Sequence, residues 1–258
     1  MIRNKAIAML AALALAVSAG AGTEALAASD APQYVLVVLA HPDDELMMAP
    51  ALASLARQGA QVTVLYATTG DQGPGVSGLA KGAKLGELRE EEAECAVNAL
   101  GLTAQLNFNR GDGALGVDAH HPESVAKGFA EDITSHLPGY SLVLTWGPDG
   151  GYGHADHRMA SALATQAVQA MPADVRPRLL YVGIPAGSLP PVPEMADWAV
   201  SDPALLTHSI AYTPADLAAA TAAAQCHVTQ FDEETRAAMM GLFDATIWRG
   251  KVHFRPAF

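Results

Sequence analysis

Cysteine is scarce in this 258-residue chain, which has only Cys95 and Cys226, and that excludes a small fold stapled by several disulfides. Both fall in segments of helical composition, where a buried free thiol and a single bridge fit the residues equally well. Basic residues are also few, with 15 Lys and Arg against 27 Asp and Glu. Such a chain lacks the clustered cations that nucleic acid or an anionic membrane surface requires, so a neutral or cationic ligand suits it better. Apolar runs long enough to cross a bilayer, roughly 20 residues, are missing too. The nearest candidate is the Ala/Leu-rich stretch 6–16, which follows Arg3 and Lys5 and runs into small residues. That order is the pattern of a cleaved export signal. Ala25-Leu26-Ala27 offers a cleavage site after residue 27, and Val17-Ser18-Ala19 an alternative. The expected mature protein is then a single domain, 28–258, with 13 basic and 26 acidic residues. It is delivered to the periplasm or the medium and keeps no stable membrane insertion.

What the chain does have is apolar content, 50% of its residues, enough for one sizeable α/β core. The run YVLVVLA at 34–40 suits a strand buried on both faces of a parallel sheet, and a helix is expected over 45–58. QVTVLYATT, 61–69, reads as a second buried strand, and the Gly/Pro-rich segment after it as a loop. A charged, Ala-rich helix over 86–100 stops at Gly101. Strands are expected at 105–110, 141–146 and 178–184, with helices over 123–137 and 154–171 between them. Strands alternating with helices predict an α/β fold, a mostly parallel sheet with helices on both faces. The Pro-rich stretch 185–203 reads as an irregular excursion, a surface loop with a substrate-facing lid as the alternative, and 216–229 as a last helix.

Two clusters carry the chemistry. His41-Pro42-Asp43-Asp44-Glu45 follows the first strand, and ligands of an open parallel sheet collect beyond the carboxyl ends of its strands. His41 and Asp44, three residues apart across a strand-to-helix turn, can share one ion, and of the adjacent Asp43 and Asp44 one can bind metal while the other acts as base. Helix-start chemistry is the plain alternative. It makes Asp43 an N-cap and accounts for Glu45 through the helix dipole, but it leaves a histidine at the end of a buried strand unexplained. GPDGGYGHADHR, 147–158, follows the strand at 141–146 and opens a helix at the same sheet edge. His154 and His157 are again three apart, so one can reach the ion while the other faces substrate. Two His/Asp clusters converging from two strand ends describe a hydrolytic metal centre with a position left for water.

AHPDDE at 40–45, GGYGHADH at 150–157 and the intervening Arg89, Glu92, Ala96, Leu100 and Gly101 resemble the PIG-L or LmbE-like de-N-acetylases, with a looser trace in His227-Val228-Thr229-Gln230. The resemblance implies a Rossmann-like fold with zinc, or ferrous iron, on His41, Asp44 and His157. It makes Asp43 the general base. His154, assisted by Asp156, and Tyr152 are implied to stabilise the oxyanion or protonate the leaving amine. Arg89 matches a substrate-binding arginine and Asp112 a carboxylate that grips sugar hydroxyls, while Asp71 lies at the same sheet edge and is a further candidate for a hydroxyl. Ala155 stands where the family usually has proline, which touches loop rigidity and leaves the reacting groups in place. A His2Asp donor set also accepts Co or Ni.

The expected activity is removal of an N-acyl group, acetyl above all, from an amino sugar such as an N-acetylglucosamine derivative. An amidase acting on a non-sugar N-acyl compound is the alternative, and a metal-dependent carbohydrate-binding protein without turnover is a third reading. Trp146 is expected in the core, His120 and His121 at the surface, and His227 either in the pocket or at a helix end.

Overall fold

The computed structural model describes residues 24–25 and 34–258; the expected export segment, apart from 24–25, lies outside the described residues. Eight strands form one sheet: β1 (Glu24–Ala25), β2 (Tyr34–Leu39), β3 (Gln61–Tyr66), β4 (Ala104–Asn107), β5 (Leu142–Trp146), β6 (Arg178–Val182), β7 (His208–Ala211) and β8 (Lys251–Pro256). Six α-helices accompany them: α1 (Ala49–Arg57), α2 (Ala83–Ala99), α3 (Val125–His136), α4 (Ala155–Gln169), α5 (Pro214–Cys226) and α6 (Glu233–Phe243). The strand order is β1-β7-β8-β6-β5-β2-β3-β4. Strands β2 to β6 pair in parallel, and β8 runs antiparallel to both β6 and β7.

Alternation along β2 explains why its sequence is apolar throughout. Val35, Val37 and Leu39 join the core beneath α1, α2, α5 and α6, whereas Leu36, Val38 and Ala40 join a second core beneath α3 and α4. Each of these side chains is fully buried, and removing a Val or Leu side chain from water contributes about 1.5–3 kcal/mol. A strand between two helical layers has no face to spend on polar residues, which is why period-two patterning is missing here.

The first helix differs from expectation at its start: Asp44–Met48 is a 3-10 turn and α1 begins only at Ala49. Cys95 and Cys226 form a disulfide, with Cα atoms 5.7 Å apart, joining α2 to the last turn of α5 across 131 residues. A closed loop of that length contributes about 5 kcal/mol in the chain-entropy account. Residues 185–203 contain one short 3-10 turn, Pro193–Met195, run into a second at Pro203–Leu205, and are fastened by Ala186 N–H to Ser201 O and by Ala199 N–H to Gly151 O, both 2.8 Å. Residues 230–258, to which no element is assigned from sequence, supply α6 and the antiparallel β8.

Helix α5 is anchored at its start by Asp216, which is 2% exposed. Its carboxylate takes Arg57 Nε–H and Nη2–H at 2.8 and 3.0 Å and the N–H of Thr213 at 2.7 Å, closing a capping box. Burial works to raise its pKa, but the Arg57 and Thr213 bonds win and hold it below the usual carboxylate range. A depressed folded-state pKa gives stability that is complete above the unfolded value, near 3.9, and is lost as pH falls through the folded value. Asp216→Ala is expected to cost about 1–2 kcal/mol at neutral pH and to flatten the acid limb below pH 4, as read by urea melts across pH. An unchanged acid limb would remove Asp216 from the account.

Candidate metal and active site

β2 and β5 are neighbours at the middle of the sheet, yet the chain leaves them in opposite directions, β2 towards β3 and β5 towards β6. A crevice opens beyond their carboxyl ends at such a reversal. The two motifs flank it, 41–45 after β2 and 147–157 after β5.

Three groups face one another across this crevice. His41 Nδ1 lies 3.2 Å from His157 Nε2, His157 Nε2 lies 2.9 Å from Asp44 Oδ1, and His41 Nδ1 lies 3.9 Å from Asp44 Oδ2. All three residues are buried, at 6%, 1% and 6% exposure. Asp44 Oδ2 accepts the N–H groups of Ala40 and His41 at 3.0 and 2.9 Å, so Oδ1 is the oxygen left for His157. Trp146 stacks flat on the His157 ring at 4.9 Å. Gly151 permits that stack, because a Cβ on it would stand 2.8 Å from the indole ring, and its φ of +70° also favours glycine.

The donor set fits a cation. His157 Nδ1 faces the carbonyl of Gly150 at 3.2 Å, and a carbonyl only accepts, so Nδ1 carries the hydrogen and Nε2 of the neutral ring presents a lone pair. That lone pair points among a carboxylate oxygen and a second imidazole nitrogen, an arrangement that repels unless a proton or a metal ion sits between them. On the far side of His41, Nε2 is buried without an aligned hydrogen bond, 3.0 Å from Asp112 Oδ1 and 3.5 Å from Asp156 Oδ2. Burial works to lower the His41 pKa, yet the Asp112 and Asp156 carboxylates overcome it and carry it to about 10. Carboxylates behind an imidazole in this way turn its other nitrogen towards a metal and raise its basicity. Other ligand atoms are close as well: those of His41, His154 and His157 lie within 4.8 Å of one another, as do those of His41, Asp112 and Asp156. His154 Nδ1 is engaged by the N–H of Asp156 at 3.2 Å, and the Asp156 oxygens by the N–H groups of Gly113 and Leu115.

Asp43 stands beside the cluster in a left-handed conformation, φ 95° and ψ −18°, and makes no side-chain cap. Such a backbone costs a non-glycine residue about 1–3 kcal/mol and persists only where its surroundings over-determine it. Here they do. The Asp43 N–H bonds Glu45 Oε2 at 3.0 Å, Tyr66 O–H bonds the same oxygen at 2.7 Å, and His227 Nε2 lies 2.6 Å from Glu45 Oε1. Arg89 grips the preceding carbonyl of Pro42 at 2.6 Å and that of Gly70 at 2.8 Å, and its Nη2 stands 3.4 Å from Asp43 Oδ1. Gly70 has to be glycine, since a Cβ there would fall 2.3 Å from the guanidinium. Burial pushes the Asp43 carboxyl up to about 6 against the pull of Arg89, a range suited to proton exchange near neutral pH.

Several expectations change. Arg89 is 3% exposed, and its two terminal nitrogens bond the carbonyls of Pro42, Gly70 and Gly73, so in this structure it clamps the loops after β2 and β3. Asp112 points one oxygen at His41 and the other at the N–H of Gln72, 2.9 Å away, which places it behind the His41 imidazole. The Asp156 carboxylate faces His41, and only its backbone N–H serves His154. Asp71 bonds Gln72 Nε2 and, through its carbonyl, the N–H of Gly82, outside the cluster. Glu45 is fully buried on Tyr66 and His227, which is no helix-dipole role. Segment 185–203 is a wall of the site, because Val192, Glu194, Met195 and Trp198 line the cleft that opens from Asp43 and Asp44. Tyr152, half exposed, sits at the rim with its ring 5.1 Å from that of His157 and 5.2 Å from that of Trp198. Burial and the nearby Asp44 and Asp43 raise its phenol pKa, so the hydroxyl stays a donor. Burial lowers that of His154, with His41 and His157 adding to the effect. Ala155 is the first residue of α4, a position where proline is also at home. His120 and His121 are exposed.

Glu45, Tyr66 and the His227 support were missed as a unit; only the trace at 227–230 hinted at them. Thr229 bonds both oxygens of Glu92 at 2.7 Å, and Gln230 Nε2 reaches Gly73 O at 2.9 Å.

Comparison with known proteins places these residues in a wider setting. The family model for PIG-L, described as GlcNAc-PI de-N-acetylase, matches residues 36–168. The chain is 35% identical over 159 residues to 1D-myo-inositol 2-acetamido-2-deoxy-alpha-D-glucopyranoside deacetylase 2 of Catenulispora acidiphila, over 54% of this chain and 52% of that one. It is 36% identical over 159 residues to the corresponding deacetylase of Actinosynnema mirum, over 54% and 56%. The chain therefore spans about half the length of these curated relatives. In fold it is similar to N,N'-diacetylchitobiose deacetylase from Pyrococcus horikoshii, TM-score 0.61 at 19% identity, covering 87% of this chain and 84% of that one. It is also similar to a 4-carboxy-2-hydroxymuconate hydratase from Pseudomonas putida, TM-score 0.60 at 19% identity, covering 88% and 96%. A scaffold that hosts both a deacetylase and a hydratase does not choose the reaction; the site residues must.

Proposed function

Because the chain belongs to the PIG-L family, we propose that it is a metal-dependent N-deacylase that releases an amine and a short carboxylic acid, acetate above all, from an N-acyl amino sugar. The observation that carries this reading is the convergence of His41 Nδ1, His157 Nε2 and Asp44 Oδ1 beside the strained, half-buried Asp43. His41, Asp44 and His157 would hold the ion, zinc first and ferrous iron or another divalent metal next. When bound, it supplies Lewis acidity towards water and the acyl oxygen.

The residues divide the remaining work. Asp43, with its carboxyl poised near neutrality, takes a proton from the attacking water as oxygen adds to the acyl carbon. His154 accepts the Asp156 N–H on Nδ1, which leaves its hydrogen on Nε2, available to the oxygen on which negative charge develops. The Tyr152 hydroxyl donates from the rim. Collapse of the adduct breaks the C–N bond, and the nitrogen leaves with the proton that Asp43 took up, so that water and amide become acid and amine.

The second reading, an amidase acting on a non-sugar N-acyl compound, is favoured by the fate of the two sugar grips: Arg89 is buried on carbonyls and Asp112 is turned to His41. The exported location rests on the pattern of residues 1–27 and is supported by the Cys95–Cys226 bridge, a bond that persists in oxidising compartments. The test is release of acetate and primary amine from a panel of N-acetyl sugars and N-acetyl alkylamines, with and without chelator. Release should stop on metal removal and return with zinc. Release indifferent to chelator, or tight sugar binding without any release, would overturn the reading.

A further inference from the structure

The cleft that begins at Asp43 and Asp44 is far larger than an acetylated sugar ring needs. Its volume is about 890 Å³, towards the upper end of the roughly 300–1,000 Å³ that encloses drug-sized ligands. Most of its lining residues are apolar. Leu46 and Met47 follow the carboxylates in sequence and line the cleft with them, Met195 and Trp198 come from the 185–203 excursion, and Met239 and Leu242 from α6. Methionines among the lining suit flexible chains, because the thioether adapts to irregular contours. The charged groups of the rim are Glu194, Asp232 and Glu234, all acidic and exposed. An anionic headgroup would meet like charge there, whereas a neutral or cationic one would not.

We propose that this cleft binds an uncharged apolar chain carried by the substrate, so that the natural substrate is an amphiphilic N-acyl amine and not a small hydrophilic sugar. The inference rests on the proposed deacylase reading and specifies its substrate. Three observations carry it: the apolar walls are continuous with the reacting groups, the space exceeds what the polar cluster alone can fill, and the rim is acidic. The chain is attached either to the acyl carbon or to the amine-bearing part of the substrate, and both placements use the same walls.

Two substrate series distinguish the placements. In one, N-acetylglucosamine carries methyl, butyl or octyl at its anomeric oxygen; in the other, glucosamine carries N-acetyl, N-butanoyl or N-octanoyl. Each fully buried methylene is expected to raise kcat/KM about fourfold, the equivalent of about 0.8 kcal/mol, in the series whose chain enters the cleft. Met239→Gln from α6 and Trp198→Gln from the 185–203 excursion should each lower the octyl-to-methyl ratio about tenfold, with melting temperatures checked so that misfolding is not read as lost binding. Binding of octyl glucosaminide and methyl glucosaminide to the zinc-loaded protein, followed by tryptophan fluorescence, separates the two claims. Chain-dependent binding without cleavage of any amide would leave the cleft assignment standing and sink the deacylase reading. Cleavage that is flat with chain length in both series, with equal affinity for the two glucosaminides, would overturn the cleft assignment alone.

Discussion

Asp43→Asn should lower kcat about 1,000-fold while leaving bound metal and KM nearly unchanged, within the range of about 10²–10⁴ that general acid–base groups contribute. Asparagine is the informative replacement. With φ at 95° the position strains most side chains, and Asn tolerates the left-handed region far better than Ala does. The substitution therefore removes a proton acceptor and keeps the loop. The Asp43 N–H still has Glu45 Oε2, and Glu45 still has Tyr66 and His227. A loss confined to kcat marks an interaction made in the transition state. Wild-type turnover in this variant, with metal confirmed by elemental analysis, would end the assignment of Asp43 as base.

Asp44→Ala should weaken metal binding by more than about 100-fold, since even partners behind the ligands are worth 10–100-fold. Activity should vanish with it. Alanine here also deprives the buried N–H groups of Ala40 and His41 of their acceptor, at about 1–3 kcal/mol each, so lost metal alone would be ambiguous. Asp44→Asn resolves this. Its carbonyl oxygen can keep the two backbone bonds, while an amide nitrogen replaces the oxygen nearest His157, 2.9 Å away. Asp44→Asn should melt close to wild type and still fail to retain zinc through gel filtration; stoichiometric zinc in that variant would move the ligand role to Asp112 or Asp156, the other carboxylates beside His41.

The centre of the molecule was legible because burial on both faces leaves only apolar residues, and β2 and β5 therefore announce themselves as runs that end at His41 and just before the glycines. Both ends of the ion cluster follow from those runs. What could not be read is pairing over distance. Glu45 looks like a helix-start residue by its neighbours, and nothing local shows that His227, 182 positions on, closes over it. Arg89 looks like one charge on a solvated helix, since its partners are backbone carbonyls of two loops, and carbonyls leave no residue signature. Family resemblance pointed to Arg89 and Asp112, and the structure puts both beside His41 to Asp43, but what they touch could not be read from it. The last strand failed for another reason: in β8, Val252 and Phe254 are buried between Lys251, His253 and Arg255, an alternation too short and too charged to stand out beside the buried runs. α6 did carry a signal in Asp232, which caps it through the N–H of Thr235.

The bridge between Cys95 and Cys226 sits closer to the chemistry than a staple between two outer helices suggests. Its α2 cysteine shares a helix with Arg89 and Glu92, and its α5 cysteine immediately precedes His227 and the Thr229 that holds Glu92. The bridge thus ties together the two elements that carry the residues holding the backbone under Asp43. Were the chain exported as proposed, that tie would form only in the oxidising compartment where the protein works, next to the residues its chemistry depends on.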